Sequence, residues 1–140
     1  MLSDAKTDTL NRKLSAAGLR STRQREVVYD AILSKRDHPT ADEIFARVKK
    51  EMPTISLATV YNCLDTLVQC DLVKHVNIDR ESTRYCPNLN EHAHFHDNDS
   101  GTIYDVQLDE DFIGKLKAIL PEGFEPTSID ITLRGKVQQN

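Results

Sequence analysis

One cysteine and three histidines fall within eleven residues of this 140-residue chain: Cys86, His92, His94 and His96, in the run RYCPNLNEHAHFH. His92, His94 and His96 alternate with Ala93 and Phe95. Residues two apart on an extended strand face the same side. His92 and His94 therefore form a convergent pair of imidazoles, suited to a first-row divalent metal. Cys86 precedes His92 by six residues. Asp105 follows a DNDSG turn, so the next strand can bring it alongside the pair. His38 lies much earlier, between two helical segments, and His75 sits in a short apolar run. Metal-assisted hydrolysis would need an open metal position, a base and a substrate cleft. No H-E-x-x-H run pairs a glutamate with these histidines, so an enzyme is not expected and a hydrolase is only a remote alternative.

The remaining composition narrows the class. The net charge is −4, but it is unevenly spread. Residues 1–86 hold 14 Lys and Arg against 12 Asp and Glu, whereas residues 87–140 hold 4 against 10. That asymmetry suggests a division of labour, with any nucleic-acid partner on the N-terminal side. No stretch approaches the roughly 20 apolar residues of a membrane span. The N-terminal MLSDAKTDTLNRKLSAAG lacks the apolar core of a secretory signal. Three cysteines without framework spacing point to a reducing, cytoplasmic setting.

These ligands must be positioned by two different kinds of structure. From residue 8 to residue 70 the apolar spacing is helical. TDTLNRKLSAAG ends at Gly18, a helix C-cap residue. STRQREVVYDAILSKRDH opens on Ser21 or Thr22 as N-cap, with Val27, Val28, Ala31 and Ile32 on one face. HPTADEIFARVKKEMP carries a capping box, Thr40 with Glu43, and an apolar face of Ala41, Ile44, Phe45 and Val48. SLATVYNCLDTLVQC starts at Ser56, with Leu57, Val60, Leu64 and Leu67 as its buried stripe. Thr59, Asn62, Cys63 and Thr66 are expected on its other face. LVKHVNI and STRYCPN then flank DRE as a hairpin. Helices followed by a hairpin predict a winged helix-turn-helix domain over residues 1–86. PNLN, residues 87–90, reads as a hinge. Residues 91–140 predict a small α/β dimerisation domain: HAHFH, TIYDVQL and the alternating TSIDITLRG as strands, with DEDFIGKLKAILPEG as a helix. A unit of about 50 residues needs a partner, a metal or another domain to be stable. The fold class is therefore α+β.

PTISLATVYNCLDTLV has the form of a recognition helix. Small and hydroxylated residues stand at its start, where base edges are reached: Ser56, Ala58, Thr59, Tyr61 and Asn62. Asparagine can pair with adenine, and an aromatic edge can meet a thymine methyl. Arg20, Arg23 and Arg25 precede or open the helix before it, where they can reach phosphates or a narrow minor groove.

The runs GLRSTRQREVVYDAIL, HPTADEIFARVKKEMPTISLATVYNCLDTL and HAH with SGTIYDV resemble the ferric uptake regulator family, over about residues 10–135. The resemblance implies a homodimeric, metal-dependent transcriptional repressor that binds a double-stranded DNA operator. It implies one regulatory divalent metal per subunit, Fe²⁺ or Mn²⁺ with Zn²⁺ as the alternative. It maps the family's hinge site onto His38, Cys86, His92, His94 and Asp105, Arg20 onto a minor-groove contact, and Tyr61 with its neighbours onto the major groove. His96 falls where the family usually has an apolar residue.

Two departures bear on the metal. Many relatives carry C-x-x-C after the histidine pair, and often a second near the C-terminus, for a structural zinc. Here Asp97 and Ser100 stand at the first pair and the tail RGKVQQN has no cysteine, so no structural zinc held by four cysteines is expected. Dimer packing is then expected from Ile103, Val106, Ile129, Ile131 and Leu133, and Cys63 and Cys70 read as ordinary thiols. Second, Cys86 resembles the zinc-responsive members, because a thiolate favours Zn²⁺ over Mn²⁺ or Fe²⁺. Asp105 and the TVYN run resemble the peroxide-responsive members. The leading reading is a peroxide- or iron/manganese-responsive regulator, and the alternative is a zinc-responsive one.

Overall fold

Helix starts are set by side chains that replace missing backbone partners, and the first four helices here begin on a hydroxyl. The computed structural model describes residues 2–77, 82–89 and 92–138. The expected hairpin turn at residues 79–81 and the end of the hinge at Asn90 lie outside the described residues. The chain divides into two units, residues 1–89 and 90–140.

The N-terminal unit runs α1 (Asp4–Ala16), α2 (Arg23–Ser34), α3 (Ala41–Glu51), α4 (Leu57–Gln69), β1 (Lys74–Val76) and β2 (Arg84–Cys86). Ser3, Thr22, Thr40 and Ser56 cap the four helices by accepting from a backbone N–H in the first turn. The capping box is complete, since the Glu43 side chain also accepts from the Thr40 N–H. Gly18 closes α1 at φ +74°, and the Leu19 N–H reaches back to the Leu14 carbonyl, the bond pattern of a Schellman cap. Asp71 takes the same role after α4 at φ +56°, and Lys13 Nζ donates to its carbonyl at 2.6 Å. The core is continuous: Leu10, Leu14, Val28, Ile32, Ile44, Val60, Leu64 and Leu67 have no solvent exposure. Full burial of each such side chain favours folding by roughly 1.5–3 kcal/mol.

Cys63 departs from expectation. It is buried in this core together with Cys70, not placed on the open face of α4. The cause is the width of the covered stripe: α2 and α3 both pack on α4.

The C-terminal unit contains β3 (His92–Asp97), β4 (Ile103–Gln107), α5 (Glu110–Ala118) and β5 (Thr132–Gly135). Its sheet has the order β4-β3-β5, antiparallel between β3 and β4 and parallel between β3 and β5. Asp97 holds the β3–β4 turn: Oδ1 accepts the Asp99 N–H at 3.0 Å and Oδ2 accepts the Ser100 hydroxyl at 2.8 Å. These bonds keep the Asp97 carboxyl below its usual range, the Ser100 hydroxyl contributing most.

The last strand is shorter than its alternating sequence suggests. Pairing starts at Thr132, although the Ile131 carbonyl already accepts from His94 N at 3.0 Å. Register then sorts the residues expected to pack a dimer. Phe95 lies between Tyr104 and Leu133, and Ala93 beside Val106, which makes one apolar face. Ile103 pairs with His96 and so lies on the opposite, histidine-bearing face. It is buried there, whereas Leu133 and Tyr104 remain exposed.

Candidate metal centre and nucleic-acid face

The period-two alternation of β3 does what extended backbone requires. His92 and His94 project from one face, with their Nε2 atoms 3.0 Å apart. Asp105 is the cross-strand partner of His94. Its Oδ1 lies 3.3 Å from His94 Nε2 and 3.5 Å from His92 Nε2. A divalent cation bound at about 2.1 Å separates adjacent ligand atoms by roughly 3.0–3.4 Å. Two of the three separations fall in that range and the third, at 3.5 Å, lies just beyond it. Both imidazoles are largely enclosed, while the Asp105 side chain keeps 36% of its surface. Two neutral imidazole nitrogens facing each other need a proton or a cation between them. The carboxylate beside the pair supplies a third, anionic donor of a type that first-row divalent metals take together with imidazole. His96 is the next residue of this face and is buried.

A second pair of ligand types belongs to the N-terminal unit. His38 is buried and adopts φ +55°, a left-handed conformation that costs a residue with a Cβ. Cys86 ends β2 and is also buried. The imidazole and the thiol offer ligand atoms within 4.8 Å of each other. The Asn88 N–H donates towards Cys86 Sγ at 3.4 Å. The His38 turn is bonded to β2: Arg84 Nη1 donates to the His38 carbonyl at 3.0 Å, and Tyr85 N donates to the Pro39 carbonyl at 2.9 Å. Sequence reasoning did not single out Arg84. No local signal marks it, because its partner lies 46 residues away. His75 lies on β1 with its ring edge-on to that of Tyr85, 5.4 Å between centroids.

Cys63 and Cys70 are core thiols. Burial pushes the Cys63 thiol up, with Arg25 pulling the other way, so the reactive thiolate is disfavoured.

The residues expected at DNA are exposed in part. Arg20, Arg23, Tyr61 and Asn62 are open to solvent. Ser56 and Thr59 are engaged with each other, Oγ to Oγ1 at 2.9 Å, as the cap of α4. Arg25 donates to the Arg20 carbonyl at 2.6 Å and Ser21 to Glu26 at 2.8 Å, which orders the approach to α2. Tyr85 is buried near α4: burial, Asp65 and Tyr61 all raise its phenol above the usual range.

A winged-helix unit joined to a small α/β unit that carries a histidine–carboxylate cluster defines a specific architecture. Residues 16–134 match the ferric uptake regulator family, and the chain belongs to it. The peroxide-responsive repressor PerR of Staphylococcus aureus strain Mu50 is 36% identical over 94 residues, 67% of this chain and 64% of the relative. The chain thus spans 64% of the length of the curated relatives it matches. Among solved structures, the Campylobacter jejuni peroxide stress regulator is 27% identical with a TM-score of 0.65, covering 99% of this chain and 98% of that one. The Helicobacter pylori ferric uptake regulator shares the fold at a TM-score of 0.77 and 18% identity, covering 96% of this chain and 91% of that one. The α+β fold expected from the sequence is the fold found.

Proposed function

We propose that this protein is a metal-dependent transcriptional repressor, acting as a cytoplasmic homodimer on a double-stranded DNA operator and catalysing no reaction. Residues 1–86 bind DNA through Arg20, Arg23, Ser56, Thr59, Tyr61 and Asn62. Residues 91–140 dimerise, and residues 87–90 join the two parts. One regulatory cation per subunit is held by His38, Cys86, His92, His94 and Asp105. The observation that carries this reading is the convergence of His92 Nε2, His94 Nε2 and Asp105 Oδ1 at 3.0–3.5 Å in a member of this family.

The donor set fits a first-row divalent ion: imidazole and carboxylate suit Fe²⁺ and Mn²⁺, and a thiolate adds preference for Zn²⁺. A cation that takes ligands from two units links its occupancy to their relative orientation, and hence to DNA affinity. Among relatives, the Staphylococcus aureus protein is a peroxide-responsive repressor by name, which supports a peroxide- or iron/manganese-responsive role. Cys86 supports the second reading, a zinc-responsive regulator. Bound iron would supply the redox chemistry for a peroxide response, which zinc cannot.

The test starts from duplexes selected from a random pool with Mn²⁺ present. Gel shifts with Mn²⁺, Fe²⁺, Zn²⁺ and chelator should show binding that chelation abolishes and His94→Ala removes. Metal-independent binding, or equal binding by His94→Ala, would sink the reading. Peptide mass spectrometry after dilute peroxide separates the two subtypes. Gain of one oxygen atom on a histidine peptide, in the iron form only, supports peroxide sensing. An unoxidised iron form with Zn²⁺-dependent DNA binding supports the zinc alternative.

A further inference from the structure

We infer that Arg84 is a positioning residue for the metal centre: it latches the His38 turn to the strand that carries Cys86. This rests on the reading of His38 and Cys86 as metal ligands. Four observations within the N-terminal unit carry it.

The first is strain. His38 holds φ +55°, a conformation that persists only where surrounding structure enforces it. The second is supply of donors. Pro39 has no N–H, so this turn cannot close on itself at that position. The carbonyls of His38 and Pro39 are instead taken by β2, through Arg84 Nη1 at 3.0 Å and Tyr85 N at 2.9 Å. Thr40 completes the contact as an isolated antiparallel bridge to Arg84. The turn is thus laid along the wing strand.

The third observation is the second anchor. The Arg84 guanidinium lies 3.7 Å from Glu43 Oε1, the oxygen that closes the capping box of α3 on the Thr40 N–H at 3.3 Å. Arg84 therefore bridges the left-handed turn and the start of α3. Its side chain is only 22% exposed, and one nitrogen serves both anchors: Nη1 donates to the His38 carbonyl and lies in ion-pair range of the Glu43 carboxylate. The fourth is placement. Arg84 and Cys86 are two apart on one strand, so they share a face. His38 and Cys86, which offer ligand atoms within 4.8 Å of each other, thus sit on two segments that the Arg84 and Tyr85 bonds join through the backbone carbonyls of the turn. Preorganisation of that kind raises metal affinity without adding a ligand.

Both contacts pass through Nη1, so lysine keeps the positive charge near Glu43 but not the planar, fixed N–H geometry aimed at the His38 carbonyl. The test uses the full chain and Co²⁺ as probe. Chelator competition reads affinity, and the thiolate-to-cobalt absorption band reads the sulfur ligand. Arg84→Gln should weaken Co²⁺ binding about 10- to 100-fold, the range for residues that orient metal ligands. The thiolate band should shift or fade. Arg84→Lys should move both readouts in the same direction by less. A purely structural role would lower the melting temperature of the metal-free protein and reduce binding only in proportion to the unfolded fraction; that pattern overturns the inference. If Arg84→Gln folds poorly, Arg84→Lys decides, and unchanged affinity with an unchanged band overturns the latch. Parallel variants His38→Ala and Cys86→Ser guard the premise. If both bind Co²⁺ like the parent, the ligand assignment itself is wrong. If both lose it while the Arg84 variants keep it, only the latch is wrong.

Discussion

The two units of this chain solve the burial problem differently. The N-terminal unit closes its own core: four helices contribute side chains with no solvent exposure, from Leu10 on α1 to Leu67 on α4. The C-terminal unit buries little apolar surface, with Ala93, Ile103 and Ile113 as its buried hydrophobic residues among those described. It leaves Tyr104, Phe112, Ile119, Phe124, Leu133 and Val137 exposed. Its sheet is two-sided in chemistry. One face gathers His92, His94, His96 and Asp105; the other aligns Phe95, Tyr104, Val106 and Leu133. A small unit with so much exposed apolar surface gains stability from association or from a metal. The N-terminal unit can therefore be stable by itself, whereas the C-terminal unit draws on association or a bound metal.

The largest effect that would separate the two units is a core truncation. Leu64→Ala should cost about 2–5 kcal/mol. The resulting fall in melting temperature should not depend on protein concentration. A concentration-dependent loss would show that the N-terminal core is shared with another chain.

Leu133→Asp tests the opposite case. Leu133 is 48% exposed in the single chain, so local stability should change little. Sedimentation equilibrium should instead show weaker dimerisation, by about 100-fold or roughly 2.7 kcal/mol. An unchanged dimer would remove this face from the interface.

Thr40→Ala is a smaller perturbation of the self-sufficient unit. Loss of the capping box should cost about 1 kcal/mol, read by chemical denaturation. It should also loosen the His38 turn, because the Thr40 hydroxyl donates to Glu43 Oε1, the oxygen that faces Arg84 Nη1.

The smallest effect belongs to the β3–β4 turn. The Asp97 carboxyl is held low chiefly by the Ser100 hydroxyl. A group with a depressed folded pKa stabilises the fold above its unfolded value, about 3.9, and that contribution is lost as pH falls through the folded value. Ser100→Ala raises the folded value towards the unfolded one. It should therefore lower stability slightly near pH 7, and the gap to the parent should close as acid protonates Asp97 in both. Urea denaturation followed by circular dichroism at several pH values checks this. A gap that stays constant into acid would show that Ser100 acts on the turn without acting through the Asp97 charge.

Much of this architecture was legible locally. Thr40 with Glu43, and Ser56 ahead of an apolar stripe, announce helix starts because a cap acts within three residues of its own backbone. The alternation HAHFH places His92 and His94 on one side because the pleat has period two. Other features were not legible. Helical spacing gives a face, but not how wide a stripe neighbours will cover, so Cys63 read as exposed and is buried. Alternation in TSIDITLRG gives a strand, but not where its partner ends, so only Thr132–Gly135 pairs.

Chemistry between near neighbours in the chain was enough for the helix starts, the order of elements, the paired histidines and the absence of C-x-x-C pairs. Long-range packing decided which side of the sheet Ile103 takes, how His38 comes to be held at φ +55°, and that Arg84 is what meets its carbonyl. Those outcomes depend on register and on contacts across 46 residues. Their free energies arise only when distant segments pack, and no local pattern records them.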